Sequence, residues 1–181
     1  MKIKGPSLLF LLLLGTFTCQ AQPDWRQKVD AELLLLGHRN WIVIADSAYP
    51  LQSSPGIETI ETDADQLAVL DYVLHAIGGS RHVRPLVHMD KELQFVPESG
   101  APGVDQYRSD IRKKTEGLSS DSLPHEQLIR ILKETGESFH VLILKTRIAI
   151  PYSTVFLQLD CRYWSEKSEA KLQEEMERAR K

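Results

Sequence analysis

Gly37-His38-Arg39-Asn40-Trp41-Ile42-Val43-Ile44-Ala45-Asp46-Ser47-Ala48-Tyr49-Pro50 reads as a polar turn carrying a histidine, then an apolar run of strand length from Trp41 to Ala45, then an aspartate where that strand gives way to a proline-closed loop. A strand held in a sheet is a rigid mount for polar residues at its ends, and the loops outside an open sheet are where α/β proteins usually take small ligands. His38 and Asp46 are the first candidates for chemistry.

Outward from this stretch, elements alternate. On the N-terminal side, Asp24 to Leu36 has helical periodicity: Asp24 is a natural N-cap, Trp25, Val29 and Leu33 recur at four-residue steps, and Gly37 is a stop signal. On the other side, Ile57 to Thr62 reads as a strand, and Gln66 to Ile77 as a helix capped by Asp63 or Asp65 and ended by Gly78-Gly79. Pro85 to Met89 has the look of a short buried strand. Helices follow over 102–116 and 124–135, separated by a Gly-Leu-Ser-Ser-Asp-Ser linker, then strands over 139–144 and 155–159 that flank a loop holding Pro151 and Tyr152. Residues 165–181 are helix-forming and highly charged, without the apolar heptads of a coiled coil. Strands alternating with helices predict an α/β three-layer sandwich, a largely parallel central sheet flanked by helices.

The composition narrows the function classes. At 181 residues and 42% apolar, one domain with a proper core is expected, over residues 22–162 with the charged helix at 163–181 after it. A formal charge of -3 supplies no basic excess for phosphates, which argues against nucleic acid as a partner. Lys2 and Lys4 precede an apolar run, Leu8 to Leu14, and Cys19-Gln20-Ala21 offers a cleavage point, so residues 1–21 read as a signal peptide and the mature chain as periplasmic or secreted. A lipid anchor on Cys19 is the second processing route, and the apolar run is short for a stable membrane span. With Cys19 removed, Cys161 stands alone, without a disulfide partner or thiolate cluster, and a buried inert thiol is expected.

Common catalytic motifs are missing: no phosphate-binding Gly-x-Gly-x-x-Gly, no P-loop, no His-Glu-x-x-His and no Gly-x-Ser-x-Gly. The six histidines are scattered, not spaced as ligands, so no metal and no other cofactor is expected. Gly37-His38 before a strand, Asp46 with Pro50 after it, Pro124-His125-Glu126-Gln127, and Pro151-Tyr152-x-Thr154 before the last apolar strand together resemble the D-ribose pyranase and L-fucose mutarotase family. That family carries Gly-His-x-Asp, Asp-Ala-x-x-Pro and Tyr-x-Asn at the corresponding places. The likeness runs from about Asp30 to Cys161. It implies a cofactor-independent sugar isomerase on an α/β fold, assembled as a ring-like homo-oligomer with sites near subunit boundaries, acting on a ribose- or fucose-like monosaccharide.

Carried over residue by residue, the resemblance puts His38 on the catalytic histidine and makes Asp46, His125 and the segment Tyr152, Ser153 and Thr154 sugar-binding positions; the chemistry then assigns Tyr152 to hydrogen bonding at the anomeric centre or ring oxygen. Asn40 stands where the family has an aspartate, removing a carboxylate from beside His38, and Thr154 stands where it has an amide. The chemistry asks only for one acid and one base to move protons between the anomeric hydroxyl and the ring oxygen. Geometry sets a condition: His38 and Asp46 are eight residues apart, on the order of 20 Å if extended at about 3.3 Å per residue. Either the chain bends near Trp41 or the two ends come from different subunits. A non-catalytic sugar-binding protein, or an oligomeric scaffold on the same fold, is the alternative from another class.

Overall fold

A computed structural model describes residues 24–180; the expected signal peptide, with Cys19, lies outside the described residues. The elements follow in the order α1 (Trp25–Leu33), β1 (Trp41–Ala45), β2 (Ile57–Glu61), α2 (Gln66–Gly79), β3 (Val83–Asp90), a 3₁₀ turn (Lys91–Phe95), α3 (Val104–Lys114), β4 (Ser120–Leu123), α4 (His125–Thr135), β5 (Val141–Lys145), β6 (Val155–Cys161) and α5 (Glu166–Ala179). The strands form one sheet in the order β2-β5-β1-β6-β3-β4. β1 and β2 run parallel to β5 and β3 runs parallel to β4, while β6 is antiparallel to both of its neighbours. Five strands therefore point one way, and the sheet is largely parallel as the alternation of elements implied.

Side-chain alternation divides the core between the two faces. From β1, Ile42 and Ile44 join the layer under α1, α2 and α3, with Val29, Leu70, Val73 and Ile111. Trp41, Val43 and Ala45 point the other way, into the layer under α4, with Leu128, Leu132 and Phe156. Every residue of β1 is buried, the signature of a strand covered on both faces. The three layers are unequal, because three helices lie on one face and α4 alone packs on the other.

Local chemistry accounts for most of the boundaries. Asp24 caps α1 by accepting from the Arg26 amide, and Asp65, not Asp63, caps α2 by accepting from the Ala68 amide. α1 stops at Leu33, short of the expected Leu36; Leu34 and Leu35 are exposed and Leu36 alone returns to the core. The left-handed residue of the following turn is Arg39, at φ 75°, and not Gly37. β4 falls on the stretch expected to be a linker, because Ser-Asp-Ser-Leu at a sheet edge has no buried face to write an apolar pattern. Where α4 ends, Gly136 and Gly56 pack backbone against backbone: a Cβ on Gly136 would lie 2.5 Å from the Ile57 side chain. α5 buries no residue, and Cys161 is half-buried, not fully enclosed. Among the described residues no helix is long and apolar enough to cross a membrane.

Candidate active site

The strand ends decide which polar residues meet. Asp46 follows β1, Asp90 ends β3, His125 follows β4 at the start of α4, and Ser153 and Thr154 precede the antiparallel β6. All are thus gathered at one end of the sheet, outside the carboxyl ends of the parallel strands. Asp46 is bonded twice: Oδ1 accepts from the Ala48 amide at 2.9 Å, and Oδ2 from the Thr154 hydroxyl at 3.1 Å. Thr154 is 2% exposed and its hydroxyl serves Asp46. Ser153 is 1% exposed and donates to the Ile150 carbonyl at 2.7 Å, so its hydroxyl proton is committed to the loop.

His125 is the histidine that stands with these groups. Its Nδ1 lies 3.0 Å from Asp90 Oδ1, its backbone N–H donates to the Glu92 carboxylate at 3.0 and 3.1 Å, and Tyr152 meets its ring edge-on, 5.5 Å between centroids. Tyr152 is 39% exposed and sits at φ 59°, a left-handed conformation that costs an L-residue about 1–2 kcal/mol. A cavity of about 410 Å³, bordered by Glu92, Phe95, Pro97, Pro151 and Tyr152, opens beside them. That volume is within the usual range of small-ligand sites.

Asp90 is the residue that motif reasoning missed. It is 1% exposed, and its Oδ2 is buried with no hydrogen-bond partner among the described residues. Burial drives its carboxyl up to about 6, against the pull of His125, with the Glu92 and Asp46 charges adding to the rise. Tyr49, 4% exposed and bonded to the Gln52 amide at 3.0 Å, is pushed far above the ordinary phenol range by burial and then by the Asp90 charge. The available signal for Asp90 was an aspartate closing an apolar strand, the same signal that singled out Asp46.

A buried polar network props the site from behind. Gln66, fully buried at the start of α2, donates to Tyr107 Oη at 2.8 Å and to the Ser153 carbonyl, which also accepts from Tyr107. Thr146 lies 2.9 Å from the Ala45 carbonyl and 3.1 Å from Gln66 Oε1. The ends of β1 and β5, the start of β6, and helices α2 and α3 are thereby tied at the point where Asp46, Tyr152 and Thr154 emerge.

His38 is not among them. β1 pairs in unbroken register with both β5 and β6, so the chain does not bend at Trp41. Arg39, next to His38, donates to the Leu159 carbonyl near the far end of β6, whereas Thr154, bonded to Asp46, precedes its start. Within one protomer His38 and Asp46 stand at opposite ends of the sheet, on the order of 20 Å apart at about 3.3 Å per residue. The bend near Trp41 is thereby excluded within one protomer, which leaves the second of the two alternatives, ends supplied by different subunits; the protomer itself brings His125 to Asp46 and Tyr152. Asn40 has its own employment, accepting from the Gly37 amide at 2.7 Å and donating to the His140 carbonyl at 3.2 Å, which holds the turn that carries His38.

An α/β fold with a mostly parallel sheet and a polar cluster at its strand ends has the layout in which open-sheet proteins usually take small ligands. In sequence, no protein-family model and no curated protein matches the chain. In structure, it is similar to RbsD of Bacillus subtilis, solved with D-ribose, at a TM-score of 0.51 and 17% identity over 71% of this chain and 88% of that one. It is similar also to the fucose mutarotase of Streptococcus pneumoniae, solved with L-fucose, at 0.51 and 20% over 76% and 91%. FucU of Bifidobacterium longum matches at 0.50 and 18% over 73% and 92%. The chain has the fold of the ribose pyranase and fucose mutarotase proteins, as the resemblance in its motifs implied.

Proposed function

We propose that this protein is a monosaccharide isomerase of the mutarotase or pyranase kind, acting on a ribose- or fucose-like sugar by acid–base catalysis. The observation that carries the reading is the His125 constellation: a ring nitrogen held by buried Asp90, a tyrosine on its edge, and the Asp46–Thr154 pair at the same strand ends. Asp90 orients the imidazole and compensates its positive charge when it takes a proton. His125 then removes the proton of the anomeric hydroxyl, Tyr152 delivers or relays one at the ring oxygen, and the ring opens to a carbonyl that rotates and recloses. Asp46, an acceptor with two oxygens, holds neighbouring hydroxyls of the sugar. The residues need no metal or covalent intermediate for this.

His38 takes part only where another copy supplies it, with one copy's His38 end set against the next copy's strand ends. A ring-like homo-oligomer is the assembly that would do this, and the support for it is the resemblance in motifs and fold. Location outside the cytoplasm rests on Lys2, Lys4, Leu8 to Leu14 and Cys19 to Ala21.

Saturation-transfer NMR of anomer exchange over a panel of pentoses and hexoses tests the reading. His125→Ala is expected to slow exchange by about 10²- to 10⁴-fold; His38→Ala close to wild type would mean that no second copy completes the site. Equal losses in the two variants would assign the site to two copies. Sugar binding without any exchange in the wild type would leave a binding protein and not an enzyme.

A further inference from the structure

Two of the buried polar atoms that lack a hydrogen-bond partner among the described residues, His88 Nε2 and Asp90 Oδ2, belong to one strand. They are two residues apart in β3, and so on one face of the sheet. Pairing says which face: His88 stands opposite Phe156, in the layer under α4, and Asp90 stands opposite Leu123, which packs against the same layer. Each unmet buried group costs about 1–3 kcal/mol, so two successive ones on a single face call for a reason.

Each is the free end of a carboxylate–imidazole pair. His88 Nδ1 lies 2.5 Å from Asp121 Oδ1, directly across on β4, and Asp90 Oδ1 lies 3.0 Å from His125 Nδ1. Both rings are also held from the side, His88 by Trp41 at 5.3 Å between centroids and His125 by the edge-on Tyr152. An ionised carboxylate only accepts, so Asp121 keeps the His88 proton on Nδ1 and leaves Nε2 as a buried lone pair. Side chains at i and i+2 of a strand are neighbours, about 6.6 Å apart at Cα for a rise of about 3.3 Å per residue. A single buried water closes a gap of that kind and satisfies the groups on both sides.

We infer that a buried water joins His88 Nε2 to Asp90 Oδ2, making Asp121, His88, Asp90 and His125 one proton relay from the β4 edge of the sheet to the catalytic histidine. His88 and Asp121 are positioning residues in it, since they act on the sugar only through His125. That the relay serves a sugar isomerase rests on the reading of the strand-end site; the linkage between the two histidines does not.

With Asp90 protonated on Oδ2, every bond of the chain points the same way: His125 Nδ1–H to Asp90 Oδ1, Asp90 Oδ2–H to water, water to His88 Nε2, and His88 Nδ1–H to Asp121 Oδ1. Once His125 has taken the proton of the anomeric hydroxyl, its Nδ1–H bond breaks as an Oδ1–H bond forms on Asp90. The Oδ2–H bond breaks as the water gains that proton and gives another to His88 Nε2. One proton has left His125 and one has reached His88, and Asp90 keeps a single proton, now on its other oxygen. Asp121, with its side chain 56% accessible, exchanges the arriving proton with solvent, and passage in the reverse direction restores the chain. Burial raises the Asp90 carboxyl to about 6, so both of its protonation states are populated near neutrality. The other titratable or charged groups facing the relay are Asp46, Glu92 and Tyr49 beside Asp90, and Arg39 and Glu134 at the cavity that His88 borders.

Nitrogen-15 NMR of the histidine-labelled full chain, followed from about pH 4 to 9, tests the linkage. Linked rings are expected to show two shared midpoints, each sensed by both His88 and His125. Asp90→Asn is expected to leave each ring a single midpoint of its own. His88→Gln keeps a donor toward Asp121 and is expected to move the His125 curve, and Asp121→Asn, at an exposed carboxylate, to move both curves with the urea midpoint unchanged. In anomer exchange His88→Gln is expected to be slower on the order of tenfold and to be restored by added free imidazole, which carries protons but repairs no packing. Independent single midpoints in the wild type overturn the relay, as does a His125 curve that stays in place in both His88→Gln and Asp121→Asn. A loss of exchange that imidazole does not restore makes His88 structural and overturns it too. A wild type without anomer exchange refutes the isomerase, and the shared midpoints then decide the relay alone.

Discussion

The two ends of the sheet are built from similar residue types on opposite plans. At the strand ends, Asp90, Ser153, Thr154, Gln66 and Thr146 are almost fully buried, and the cluster is held by hydrogen bonds that span β1, β5, β6, α2 and α3. At the His38 end the polar groups are half exposed or exposed, and the anchoring is done by one arginine, Arg162, and one helix cap. Burial makes the first end a place where proton affinities move, since a buried carboxylate loses its hydration. Exposure leaves the charged groups of the second end hydrated, as in the partly accessible Arg84–Asp160 pair. The lesson is that the location of a histidine matters less than what desolvates and holds it.

The largest break in that contrast comes from the network behind the strand ends. Gln66→Leu leaves Thr146 and Tyr107 with fewer buried partners, and a loss of about 2–4 kcal/mol in urea unfolding is expected, because unmet buried polar groups cost about 1–3 kcal/mol each. A loss below about 1 kcal/mol would show that water replaces the amide and that the site is not dry.

Asp90 sharpens the contrast through pH. Its carboxyl is raised in the folded chain to about 6, so the folded state holds this proton more tightly than the unfolded one. The sign follows: its favourable contribution is complete below the unfolded carboxylate range near 4 and is lost as pH rises through about 6. Asp90→Asn should therefore flatten the fall in stability between about pH 4 and 6, and should also shift the pH profile of anomer exchange. An unchanged stability profile would mean that Asp90 is not desolvated as its position implies. At the other end, Arg84→Ala is expected to cost no more than about 1 kcal/mol, because the Arg84–Asp160 pair is partly exposed, with side chains 41% and 34% accessible. A larger loss would move that end into the buried class.

Sequence reading reached some of these residues and not others for identifiable reasons. The Trp41 to Ala45 strand was legible because five consecutive apolar residues between a polar turn and an aspartate admit few alternatives. A cap at Asp63 or Asp65, the α4 helix and the β6 strand were legible on the same local terms, and the structure chose Asp65. β4 was not, since a polar edge strand owes its existence to hydrogen bonds from β3 and carries no pattern of its own. Asp90 and Gln66 were missed because nothing in their neighbourhood along the chain announces a partner 35 or 41 residues away. His38 was singled out by its motif, and the unbent strand set it at the far end.

By itself the order of residues determined the alternation of strands and helices, the carboxylate after the first strand, and the likeness to sugar-isomerase folds, because periodicity, capping and short motifs act over a few neighbours. Only the tertiary structure decided that, within one protomer, His125 and not His38 stands beside Asp46 and Tyr152. Strand direction and sheet order assign each loop to one end or the other, and those are set by which distant segments bury one another.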